Sequence, residues 1–141
     1  MTKRILLLLL AAVSIATALA ADLPRGKAPA DVELYLISPK DGETVASPVA
    51  VRFGLRGMGI APAGMAMENT GHHHLLIDAD LPAFDRPIPA DANHVHFGKG
   101  QTEAVVPLAS GKHRLQLLLA DHLHIPHDPP VMSKPITVIV K

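Results

Sequence analysis

The chain has 141 residues, 13 basic and 13 acidic side chains, no cysteine, and nine histidines against one Tyr, three Phe and no Trp. The balanced charge offers no basic field for nucleic acid or for an anionic membrane surface. The lack of cysteine excludes thiolate metal sites, zinc knuckles, thiol catalysis and any disulfide brace.

Lys3 and Arg4 open the chain, an apolar run follows from Ile5 to Val13, and Ala18-Leu19-Ala20 supplies small residues. That order is the grammar of a secretory signal peptide over residues 1–20, with cleavage expected between Ala20 and Ala21. The apolar run is short for a bilayer span, so no stable membrane insertion is expected after cleavage. The expected product is a soluble periplasmic chain with 11 basic residues against 13 acidic ones. It is long enough for one domain and too short for two. Residues 21–31, rich in Pro and Ala, read as a flexible leader, and residues 32–141 as the domain.

Within the domain, short apolar runs alternate with turn chemistry. Val32–Ile37 reads as a strand, and Pro39-Lys40-Asp41-Gly42 as a turn with Gly where positive φ is needed. Val49–Leu55 follows, with Val49, Val51, Phe53 and Leu55 on one face by period two. His73–Ala79, Val95–Phe97 and Glu103–Leu108 are the next three runs, then His113–Asp121 with Leu115, Leu117 and Leu119 in phase, then Ile136–Val140. No helical period of useful length follows the leader, and 13 prolines, most of them between the runs, oppose long helices. About seven short strands in about a hundred residues predict an all-β, immunoglobulin-like β-sandwich, with an up-and-down barrel as the alternative. Phe53, Ile77, Val95, Leu115, Leu117 and Val138 are the expected core. Two connections, Gly57–Gly71 and Asp80–Asn93, are long, as functional loops often are.

Three histidine groups stand out: His72-His73-His74, His94-Val95-His96, and His122-Leu123-His124 followed by His127. Each contains His-x-His, which on a strand sets both imidazoles on one face. Leucine phase on the sixth run turns Leu123 inward and His122 and His124 outward. Val95 and Phe97 likewise turn His94 and His96 outward, and His72 and His74 share the more polar phase of the third run. All three pairs are thus expected on the solvent side of a sheet. In a sandwich of this type the third and sixth strands pair, and the strand after the third can lie beside it. Strands about 4.8 Å apart then let imidazoles from neighbours reach one ion. His73 and His113, in the inward phase, read as structural, bonded to backbone or carboxylate. Asp78, Asp121 and Asp128 are candidate acceptors for the outer ring N–H of ligating histidines.

The loop before the His triplet carries Met58, Met65 and Met67. Thioether sulfur favours Cu(I), whereas imidazole suits Zn(II), Cu(II) or Ni(II). Gap-filling in the core is the competing role for each Met.

The stretches Asn69-Thr70-Gly71-His72-His73-His74-Leu75-Leu76-Ile77-Asp78, Asn93-His94-Val95-His96-Phe97-Gly98 and Asp121-His122-Leu123-His124-Ile125-Pro126-His127-Asp128-Pro129-Pro130 resemble the signatures of a bacterial exported family. It is catalogued as domain-of-unknown-function family 4399, and the resemblance runs from about Leu36 to Lys141. It implies export and one compact domain, and it carries no activity.

From the residues themselves, the first functional expectation is a periplasmic metal-binding protein, copper favoured over zinc, for buffering or delivery. The expected ligands are His72, His74, His94, His96, His122 and His124, with His127, Met65 and Met67 as capping candidates. Imidazole must be neutral to bind, so affinity should fall as the pH drops through about 6. The second expectation is a metal-independent interaction module that shows a pH-sensitive His face to a periplasmic protein partner. No nucleic-acid partner is expected. An enzyme ranks third: no Gly-x-Ser-x-Gly elbow is present, and no known copper-enzyme motif is recognised.

Overall fold

The computed structural model describes residues 23–141, so the expected signal segment and its cleavage point lie outside the described residues. Among the described residues there are nine strands and no helix. Two sheets face each other as an all-β sandwich. The smaller sheet runs β1 (Glu33–Ser38), β3 (Val49–Arg56), β7 (Glu103–Val106), antiparallel throughout. The larger runs β2 (Thr44–Val45), β9 (Ile136–Val140), β8 (Gly111–Ala120), β5 (Thr70–Ile77). The far side of β5 is shared by two short strands: β4 (Gly59–Ile60) beside Thr70 and Gly71, and β6 (His94–His96) beside His74, Leu75 and Leu76.

Period two builds the core. β3 alternates buried Val49, Val51 and Phe53 with exposed Ala50 and Arg52. β8 sends Leu115, Leu117 and Leu119 inward, where they meet Leu75 and Ile77 of β5, Val138 and Val140 of β9, and Leu34, Leu36 and Phe53 of the opposing sheet. Val95 packs at the edge of this cluster and Phe97 inside it. Of the expected core residues, Phe53, Ile77, Leu115, Leu117 and Val138 are buried members and Val95 is partly buried against them, and the turn at Gly42 has the expected positive φ of 77°. The expected inner histidines are bonded as well. His73 Nδ1 lies 3.2 Å from Gln101 O, with its ring beside Phe53, and His113 Nδ1 lies 2.6 Å from Asp78 Oδ2.

The third and sixth of the expected strands, β5 and β8, pair antiparallel from His72↔Ala120 to Ile77↔Leu115. β6 takes the other side of β5 with His74 directly opposite His96. β5 is therefore central, and its residues from Gly71 to Ile77 are all buried. The outer face of β5 is covered, contrary to the expected solvent-facing surface, while His96 on β6 stays exposed. Ile88, from the long connection after β5, packs on Leu76, Leu118 and Ala120, with Ala79 and Phe84 beside them.

Burying a leucine in such a core and then truncating it costs about 2–5 kcal/mol. Leu117 is fully buried, so Leu117→Ala should lower the midpoint of thermal unfolding by several degrees; an unchanged midpoint would contradict its place in the core.

The His113–Asp78 pair gives the fold a pH signature. Both His113 ring nitrogens face acceptors, Asp78 and the Ala109 carbonyl oxygen, and these raise its pKa above 6.5. Burial works against the Asp78 carboxylate, but the Arg114 N–H and His113 outweigh it and hold its pKa below 3.8. The raised His113 pKa stabilises fully below 6.5, and that share is lost as pH rises through the folded value. The lowered Asp78 pKa stabilises above 3.8, and that share is lost as pH falls through its folded value. The stability gap between wild type and His113→Gln should therefore be widest from about pH 4 to 6.5 and narrow at pH 9. Denaturant midpoints across that range check it, and a gap independent of pH would refute the pairing.

Candidate metal centre

β5 places His72 and His74 two residues apart on the covered outer face, each only 1 % exposed. Across from β5, the β6 register brings His96 opposite His74. Opposite His72 on β8 stands Ala120, whose small side chain leaves room above the sheet. Into that room comes His124.

His124 does not arrive on a strand. β8 stops at Ala120, and Asp121 makes a turn: its Oδ1 accepts the N–H groups of Leu123 and Ile125, at 2.8 and 3.0 Å, and its carbonyl oxygen accepts the His124 N–H. The turn reverses the expected sidedness. Leu123, expected inward, is exposed, and Ile125 takes the buried position. His124 adopts φ 65°, a left-handed conformation uncommon for a residue with a Cβ, and its carbonyl oxygen accepts the Ile88 N–H at 2.9 Å.

The four imidazoles form one group. Ring centroids of His72, His74, His96 and His124 lie 4.8–6.1 Å apart in every pairing. One nitrogen from each falls within 4.8 Å of the other three. His72 Nε2 and His124 Nδ1 are 3.2 Å apart. For comparison, metal–nitrogen bonds of about 2.0–2.1 Å put the corners of a tetrahedron about 3.3 Å apart. The closest pair already meets that spacing, and the widest must contract to hold an ion. His96 is exposed and His124 half-buried, so these two have room to swing inward.

The electrostatics suit ligation. Burial, then the neighbouring imidazoles, lowers the His72 pKa to about 4 and the His74 pKa to about 2. Burial and His124 lower that of His96 too. All three are neutral at pH 7 with a lone pair available, and proton competition at these groups moves below the ordinary imidazole range. His74 Nδ1 is buried without a hydrogen-bond partner. An unpaired buried polar atom is costly unless something satisfies it.

The other expected ligands sit elsewhere. His94 bonds Asp91 Oδ1 at 2.9 Å, in a turn where Asp91 also takes the N–H groups of Asn93 and His94. His127 is buried with Nε2 3.1 Å from Thr70 O. His122 and Met67 line a separate open cavity of about 570 Å³ together with His127 and Arg25. Met65 and Met67 are 51 % and 58 % exposed, and Met58 packs against the core. Of the proposed outer acceptors, Asp78 serves His113 and Asp128 pairs with Arg25, at 3.4 Å. Asp121 shapes the His124 turn and acts on His72 as the nearest negative charge, opposing burial.

A family model described as "Domain of unknown function (DUF4399)" matches residues 51–141. The chain belongs to this family. No curated protein and no solved structure matches significantly. The segment shared with the domain-of-unknown-function family contains all four clustered histidines, so the centre belongs to the family's part of the chain.

Gly98 is a supporting residue that the pattern of histidines does not reveal. A Cβ at Gly98 would overlap the His96 ring and approach Ala63 Cβ to 3.3 Å. The motif His96-Phe97-Gly98 carries that signal only once the ring is known to lie back over the glycine. Gly98→Ala must push the ring aside while leaving the strand pairing intact. The variant should fold as wild type does but bind a transition ion about tenfold or more weakly, as disturbed support of a ligand does. Calorimetric titration beside thermal unfolding checks this, and unchanged affinity would show that His96 is not a ligand.

Proposed function

We propose that this is a periplasmic metal-binding protein that buffers or delivers a transition ion, copper before zinc. The observation that carries the reading is the convergence of four imidazoles, one with an unpaired buried nitrogen, on a space the size of one ion. The leader grammar of residues 1–20 supports export.

Four protein nitrogens satisfy an ion's usual needs. Catalytic zinc sites keep three protein ligands and an open position, so a four-histidine set favours holding over turnover. Among divalent ions an all-nitrogen site follows the Irving–Williams order, which places Cu(II) above Zn(II). Met65 and Met67 are exposed, so the reading rests on the four histidines alone. His96 is the most accessible ligand, and exchange with a donor or acceptor would proceed at that edge.

The test is titration of the tag-free protein, expressed without residues 1–20, with Cu(II) and with Zn(II). One ion per chain is expected, copper the tighter. His96→Ala should cost at least about tenfold in affinity, whereas His94→Ala, which breaks only the Asp91 contact, should cost little. Failure of both ions to bind stoichiometrically would sink the proposal. Equal losses in the two variants would relocate the site.

A further inference from the structure

We infer that Arg25 is a positioning residue for the four-histidine centre, clamping the Asp121–Asp128 turn from outside and thereby setting how slowly an ion leaves. The inference rests on the metal reading above.

The leader, expected to be flexible, is tied down from Arg25 to Ala28. Arg25 Nε donates to Pro126 O at 3.0 Å, a terminal guanidinium nitrogen donates to His127 O, and the other lies 3.4 Å from Asp128 Oδ1. The backbone continues the tie: Asp128 N–H donates to Gly26 O at 2.8 Å, and Ala28 N–H to Asp128 O at 3.1 Å. Gly26 lies so close over His127 that a Cβ would meet its ring at 3.1 Å. The guanidinium also stands 6.0 Å from the centre of the Phe84 ring, which packs with Ile88 on the outer apolar patch. Ile88 in turn donates its N–H to the His124 carbonyl oxygen.

One side chain thus ties the leader, the turn that carries His124, and the cover over the outer face. Three of the ligands sit on strands: His72 and His74 in the middle of a sheet, and His96 on its β6 edge. His124 sits on a turn in a left-handed conformation, held by single backbone bonds to Asp121 and Ile88 and not by a strand ladder. The held turn keeps its imidazole 3.2 Å from His72. Freed from the clamp, the turn can carry the ligand away, and a three-ligand ion open to water remains. Loss of such support acts on dissociation far more than on association, because the ion's approach past exposed His96 is unchanged. Coupling between clamp and ion is reciprocal, so a bound ion must also tighten the leader against the turn.

Four proteins decide the matter, all tag-free and lacking residues 1–20: wild type, Arg25→Ala, Arg25→Lys and Val49→Ala. Val49 lies in the opposing sheet and controls for general loss of stability. Each is loaded with Cu(II), and release to an excess of chelator is timed. Amide exchange at Ile125 and Asp128 is followed with and without copper. Arg25→Ala should release copper at least about tenfold faster with little change in loading rate. Its Ile125 and Asp128 amides should exchange faster. Arg25→Lys should fail to restore slow release, since one ammonium cannot reach three acceptors in a fork. Val49→Ala should melt lower but release copper at the wild-type rate. In wild type, copper should slow exchange at Asp128. Equal release from Arg25→Ala and wild type overturns this inference alone, as does equally fast release from Val49→Ala. A wild-type protein that holds neither copper nor zinc overturns the metal reading, and this inference with it.

Discussion

The structure depends on β5 being buried on both faces. A strand between β8 and β6, with a hydrophobic core beneath and a folded cover above, has no solvent side. Its inner residues, His73, Leu75 and Ile77, meet the core, while Leu76 meets the cover and His72 and His74 meet the rings of His96 and His124. Histidine can occupy both faces because it is small enough to pack, and neutral once its pKa is lowered. A Lys or Arg at position 72 or 74 would bring a charge that burial cannot neutralise so readily. The imidazoles are thus dry without being ionised, and a buried neutral nitrogen that lacks a partner is an available ligand.

Much of the frame is legible in the sequence because it rests on period two. The phase of Leu115, Leu117 and Leu119 identifies the inner face of β8, and Val95 with Phe97 identifies that of β6. Those phases, joined to the pairing expected of a sandwich, place the strand of the His triplet between the other two, as the registers of β5 with β8 and β6 have it. The burial of the outer face is not legible. Period two reports which residues share a face, and it does not report whether a loop will later cover it. Leu76, Leu118 and Ile88 carry that information only when the connection from Asp80 to Asn93 is seen to fold back.

The ligand sets divide by the same logic. Where His-x-His lies on the central strand, both histidines enter the group, as His72 and His74 do. On the three-residue β6, only His96 does. His94, at the strand's first position, is drawn to Asp91 by a local turn, and Asp91-x-x-His94 is a side-chain-to-backbone pattern that strand phase ignores. In the last pair the strand premise itself fails. Asp121 takes two backbone N–H groups, the chain turns, and His122 and His124 part company. Aspartate after a leucine run is a signal of strand termination by side-chain capture of the backbone. Strand phase does not carry past such a turn, and the structure alone separates His122 from His124.

Asp121 also bears on the charge of the centre. Four imidazole ligands bring no negative charge, so the full charge of a bound ion would have to be met by its surroundings. Asp121 is buried, and its carboxylate acts favourably on a proton at His72 even though burial prevails there. A cation among the four rings would feel the same attraction. The carboxylate cannot simply swing in to ligate, because Leu123 and Ile125 hold it in the turn that presents His124. One residue therefore shapes the backbone of the fourth ligand and supplies the nearest negative charge. The exposure of His96 on the opposite edge leaves solvent to screen the remainder. A centre of this kind gains affinity from donor number and shape more than from charge. That places the burden of retention on the least anchored donor, His124, and on whatever holds its turn in place.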